Sequence, residues 1–284
     1  MENRKKIILV PFDFTEVAEV AVNHAAGLAK HQDWSVHLLH IINKDTRALL
    51  NVYKVDDELV NKRLQDRIAE YEKKYDVSFS FEAREGSIFS DIAKAAEETK
   101  ASFIIMGTHG KQGIQHIVGS YAHKVITSTN VPFIVVQKRE YREGYNKIVI
   151  PLDDTIESRQ KLKWAIYIAK QFDATIYIKA LYRSDELYKA KLRAVLNKIV
   201  ELFDKNEVKY DAEFISDSGS FAKQVIDYTK RLDSDMIMIM TNQDSSPIPN
   251  FLLNPWDEQI IFNEIEVPVM TINPRDINIT VVGM

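Results

Sequence analysis

Lys6-Ile-Ile-Leu-Val-Pro-Phe-Asp-Phe-Thr15 decides how this chain is read. Ile7–Val10 is apolar without interruption and closes on a proline and an aspartate. A strand with one wet face would alternate, so an unbroken run reads as a short strand buried on both faces of a parallel sheet. Thr15 then stands where a helix N-cap belongs, with Glu16 in the first turn. Val17, Val20, Ala21, His24, Ala25 and Leu28 follow at helical period. The same sentence is written again as Lys147-Ile-Val-Ile-Pro-Leu-Asp-Asp-Thr155. Pro11 recurs as Pro151, Asp13 as Asp153, and Ala29-Lys30 as Ala169-Lys170. Gly86-Ser87 recurs as Gly219-Ser220, and Val131-Pro132 as Val267-Pro268. Landmarks in one order, at offsets that drift by a few residues, are what a duplication with small loop changes leaves.

Within the first half, Trp34–Ile42 reads as a second strand, Val77–Ala83 as a third, Ser102–Met106 as a fourth and Val131–Val136 as a fifth. Leu59–Tyr75 carries a helical stripe, and Gly86-Ser-Ile88 opens another helix. Asn43–Asp57 reads as a loop; its Leu49, Leu50, Val52 and Tyr53 are assigned to the core, with a partner-binding or lid helix as the alternative. Strands alternating with helices give an α/β class: two tandem doubly wound domains, each a mainly parallel five-stranded sheet flanked by helices. We place the domains at 1–138 and 147–275, with a polar linker at 139–146 containing Gly144 and a tail at 276–284. The tail alternates at Ile277 and Ile279, which suits an added strand.

Composition narrows the function. The chain has 284 residues, 27% of them charged, and a net charge of −4, which does not suit a general nucleic-acid binder. It has no cysteine, which removes disulfide, thiol-redox and cysteine-metal chemistry. The first apolar run is too short for a signal peptide or a membrane helix, so a cytoplasmic protein without membrane contact is expected.

The chemistry concentrates at Met106-Gly-Thr-His-Gly110, followed by Gly119-Ser120. Close-set glycines at a strand end, before a helix start, can turn free amides toward an anion. The second half has Met240-Thr-Asn-Gln-Asp244 and Asn254-Pro255 instead, with two prolines and no glycine between. Proline removes donors and Asp244 adds negative charge, so the second copy keeps the fold pattern and has lost the anion site. Asp13 has a plainer reading as a turn or capping residue, which the survival of Asp153 favours. His109, His116 and His123 are spaced by seven, but glycines interrupt the stretch and no two of these three form a compact metal-ligand pair. No metal ligands and no catalytic residues are assigned. Walker A, Gly-x-Gly-x-x-Gly, Gly-x-Ser-x-Gly and His-Glu-x-x-His patterns are all absent.

On these residues the chain resembles the universal stress protein family in its tandem form, across both halves. The most specific element is Gly107-x-x-Gly110-x8-Gly119-Ser120, one residue shorter than the family's ATP-binding pattern, together with Pro11-Phe12-Asp13. The resemblance implies a site for ATP or AMP, with Mg²⁺ as an optional companion, built from the ends of strands one, two and four. It implies that Asp13 accepts from the adenine amino group and that Ile41 offers its main chain to the base. Met106, Gly107, His109 and Gly110 would surround ribose and phosphates, and Gly119 and Ser120 would donate to phosphates. It further implies pairing through the fifth strands as an intrachain pseudo-dimer, a homodimer being left open, and a stress-response or signalling module with an unidentified protein partner. The alternatives are a nucleotide-independent interaction protein and a slow Mg²⁺-dependent ATPase.

Overall fold

In the computed structural model, residues 5–109, 125–126, 128–152, 158–181, 184–215, 219–240 and 255–273 are described. The chain divides into two units: Met1–Gly144 with Ile261–Val269, and Tyr145–Ile260 with Met270–Met284.

In the first unit, β1 (Ile7–Pro11) leads into α1 (Glu16–Gln32), β2 (Ser35–Ile42), α2 (Lys44–Val52) and α3 (Asp57–Tyr75). Then come β3 (Phe79–Glu85), α4 (Ile88–Thr99), β4 (Phe103–Gly107) and β5 (Phe133–Val136). The strand order is β3-β2-β1-β4-β5, and β1–β2, β2–β3, β1–β4 and β4–β5 all pair in parallel. The apolar runs become buried strands as their composition requires: Ile8, Leu9, Val10, Phe103, Ile104 and Ile105 are fully enclosed. Helix α1 packs on β1 and β4, α3 on β3, and α4 on β1 and β2.

Local chemistry sets the helix ends. Thr15 caps α1, its hydroxyl accepting from Ala18 N at 3.3 Å. Ser87 caps α4 by accepting from Phe89 N. Asp33, Asp76 and Lys100 end their helices in the left-handed conformation.

The second unit runs β6 (Lys147–Leu152), α5 (Ser158–Phe172), β7 (Thr175–Leu181), α6 (Glu186–Lys205) and β8 (Lys209–Ile215). It continues through α7 (Phe221–Leu232), β9 (Met236–Met240), α8 (Pro255–Ile261) and β10 (Val269–Ile272). Its strand order is β8-β7-β6-β9-β10, with β6 in the place β1 holds in the first unit. Lys179 lies inside this sheet on β7, with its ammonium paired to Glu213 of β8 and set over the Tyr228 ring.

The segment read as a loop at 43–57 contains α2, capped by Asn43 accepting from Thr46 N at 2.8 Å. Its apolar residues are not core. Leu49, Val52 and Tyr53 are 58%, 74% and 73% exposed. What holds α2 is charge: Arg47 forks onto Asp57 at 2.6 and 3.0 Å and also pairs with Glu85. Three polar contacts replace the buried stripe that a helix of this length ordinarily needs.

The segment after β5 lies against α1. Tyr141 N donates to Asn23 Oδ1 at 2.8 Å, and His24 Nε2 donates to Arg139 O at 2.8 Å. The Tyr141 ring packs edge-on to His24 and covers Gly27, where an added Cβ would come within 2.2 Å of the ring. Burial holds the His24 imidazole neutral, pushing its pKa down to about 4. A mid-helix glycine costs about 1 kcal/mol relative to alanine; here its missing Cβ is the space Tyr141 fills.

Candidate functional site

The chain leaves β1 for β2 and β3 on one side, then returns to the other side with β4 and β5. The strand order therefore reverses between β1 and β4. At such a point the loops leaving two adjacent strands part, and a crevice opens at their carboxyl ends.

Pro11 is the last residue of β1, and Phe12 N still donates to Leu39 O at 2.8 Å. Asp13 comes next and is exposed. Its Oδ1 accepts from Thr15 N at 3.0 Å and from Thr15 Oγ1 at 2.6 Å. Its Oδ2 takes no hydrogen bond among the described residues. Half of this carboxylate is thus a turn acceptor, as the plainer reading of Asp13 requires, and half is open. Phe14 follows at φ 64, a left-handed conformation that a bulky side chain rarely adopts. Its ring lies 5.0 Å from Phe12 and 5.2 Å from His40, with the Arg63 guanidinium 4.7 Å above it. Strain of this kind, about 1–3 kcal/mol, persists only where neighbours over-determine the backbone.

His40 fixes the same loop from β2. Its Nδ1 lies 2.8 Å from Phe12 O. A carbonyl can only accept, so Nδ1 carries the proton. Burial lowers the His40 pKa, opposed by its bond to Phe12 O and by the Asp13 charge, and favours the neutral ring.

Ile41 is buried on β2, two residues beyond Leu39. The ladder from β1 to β2 ends at the Pro11–Leu39 pair. Main-chain groups alternate sides along a parallel strand, so the N–H and C=O of Ile41 point as Leu39's do, past the end of β1.

Across the switch point, Met106 is buried and Gly107 ends β4. A Cβ on Gly107 would stand 2.2 Å from Val17 O of α1. Helix packing by itself therefore requires glycine here. Thr108 is 2% exposed; its N donates to Val136 O at 2.8 Å, while its Oγ1 is enclosed without a partner among the described residues. His109 is exposed. Gly110, Gly119 and Ser120 lie outside the described residues, as do His116, His123, Asp153, Asp244, Asn254 and the tail at 276–284.

Pro11, Phe12, Asp13, Ile41, Met106, Gly107 and His109 thus fall at the carboxyl ends of β1, β2 and β4. Sequence reading missed His40, Phe14 and Arg63. His40 has no local signature, because its partner is 28 residues earlier and meets it only through sheet register. Thr15 was visible as a cap but not as a donor to Asp13.

A parallel sheet with its order reversed between first and fourth strands defines a doubly wound α/β domain. Residues 5–137 match the model of the Universal stress protein family. Universal stress protein MJ0531 of Methanocaldococcus jannaschii is 31% identical over 48% of this chain and 85% of its own length. Universal stress protein MJ0577 of the same organism is 32% identical over 47% of this chain and 96% of its own. The chain belongs to the universal stress protein family. A universal stress protein structure from Archaeoglobus fulgidus covers 94% of this chain and 98% of its own at a TM-score of 0.75; at 16% identity it shows the fold. No helix among the described residues is long and apolar enough to cross a membrane.

Proposed function

We propose that the crevice at the ends of β1, β2 and β4 binds an adenine nucleotide, ATP or AMP, and that the chain acts as a nucleotide-dependent stress-response or signalling module. The observation that carries this is the open Oδ2 of Asp13, on a carboxylate oriented by Thr15, with the β1-facing main chain of Ile41 lying beyond the end of the β1–β2 ladder. An acceptor-only carboxylate suits the 6-amino group of adenine, and a main-chain N–H and C=O suit a base edge. The Thr108 hydroxyl at the end of β4, without a partner among the described residues, fits a polar ligand at the same place. Gly110, His109, Gly119 and Ser120 would complete the ribose and phosphate side. We assign the first domain to residues 1–138 and the second to 147–275, the second serving structure or partner binding.

Asp13→Asn tests the reading without dismantling the turn. Asparagine keeps one oxygen to accept from Thr15, but turns the open arm from acceptor to donor. Calorimetry should register ATP or AMP binding to the wild-type chain and at least a tenfold loss in the variant, the size expected for one hydrogen bond to a charged group. Wild-type protein that binds neither nucleotide sinks the proposal.

A further inference from the structure

Thr15 does more than cap α1. Its hydroxyl proton goes to Asp13 Oδ1 at 2.6 Å, while its oxygen accepts from Ala18 N at 3.3 Å. Its own N–H reaches the same Oδ1 at 3.0 Å. Both acceptor positions of Oδ1 are therefore filled from within the chain, and only Oδ2 remains for a ligand.

That asymmetry has a chemical consequence. A carboxylate with two open oxygens can take the paired N1–H and N2–H donors of guanine as a fork. A carboxylate with one open oxygen cannot. It still accepts a single 6-amino N–H, and it repels a 6-oxo group, since neither partner brings a proton. We infer that Thr15 is a positioning residue that makes Asp13 a one-oxygen acceptor and so sets a preference for 6-amino over 6-oxo purine nucleotides. This rests on the adenine-nucleotide reading of the site.

The test is the ratio of ATP to GTP affinity, measured by calorimetry on the full chain. Thr15→Val keeps the side-chain shape and removes the hydroxyl. Thr15→Gly also removes it, yet keeps most of the capping energy, since glycine is a tolerated N-cap. Thr15→Ser keeps the hydroxyl. The wild-type and Thr15→Ser chains should favour ATP, and the ratio should fall about tenfold in both Thr15→Val and Thr15→Gly, as one freed acceptor position predicts. A purely structural role would weaken ATP and GTP equally and leave the ratio unmoved; that result overturns the inference. Wild-type protein binding ATP and GTP equally also overturns it while leaving the nucleotide site standing. Wild-type protein that binds neither removes the site itself, and the inference with it.

Discussion

Gly107→Ala separates two meanings of the glycine that ends β4. If glycine is there so that a phosphate can approach, alanine should weaken ligand binding and leave folding alone. The geometry argues otherwise. The new Cβ would stand 2.2 Å from Val17 O, 2.5 Å from Val17 C and 3.0 Å from Ala18 N, where ordinary contact begins near 3.4 Å. All three atoms are backbone, so no side-chain rotation relieves the clash. The first turn of α1 must retreat by about 1.2 Å, the difference between 3.4 and 2.2 Å. That turn is anchored: Val17, Ala18 and Ala21 are buried, and Thr15 caps it. Overpacking against fixed neighbours costs about 1–3 kcal/mol, and a backbone obstacle puts this case near the upper end. With a urea slope of about 1–3 kcal/mol per molar, the unfolding midpoint of the first unit should fall by about 1 M or more. Binding should weaken as well, because Thr15 and Asp13 ride on the displaced turn. An unchanged midpoint with lost binding would refute the packing argument and return Gly107 to the ligand.

Other perturbations reach the rest of the molecule. His24 is held at a pKa of about 4 against 6.5 unfolded, so between those values the unfolded chain takes up a proton that the folded one refuses. Stability attributable to His24 is therefore complete above pH 6.5 and is lost as pH falls toward 4, at up to about 1.4 kcal/mol per pH unit; urea titrations at pH 7 and 4.5 should show a smaller decline in His24→Gln than in wild type. Gly27→Ala gains about 1 kcal/mol of helix propensity but drives its Cβ into the Tyr141 ring, so global stability should change little while trypsin cuts faster at Arg139 and Arg142; unchanged cleavage would mean that the Tyr141 contact does not hold the segment. Lys179→Met should be neutral or stabilising in thermal unfolding, whereas Glu213→Gln should cost about 1–3 kcal/mol by taking the carboxylate from an enclosed ammonium that keeps the Tyr228 ring; the opposite order would contradict the burial of the Lys179 end of the pair.

What the sequence disclosed depends on how local the determining interaction is. Ile7–Val10 and Phe103–Met106 were legible because a strand buried on both faces must be apolar at every position, and that needs no partner to be recognised. Thr15 and Ser87 were legible as helix starts because a cap bonds within three residues. Helix α2 was misread for the converse reason. Its Leu49 and Val52 face water, Leu50 is only half-buried, and its anchor is Arg47 on Asp57 and Glu85, so the usual equation of apolar with buried reversed the assignment. The packing demand at Gly107 was not legible at all: only the approach of α1, set by the crossover from β1, reveals that Val17 occupies the space beside it. Asp13 shows that a turn residue need not be used up by its turn. A carboxylate has two oxygens, and the fold gives one to Thr15. The turn that made Asp13 look structural is what orients its other oxygen, so under the proposed function preorganisation and capping are a single arrangement rather than competing explanations.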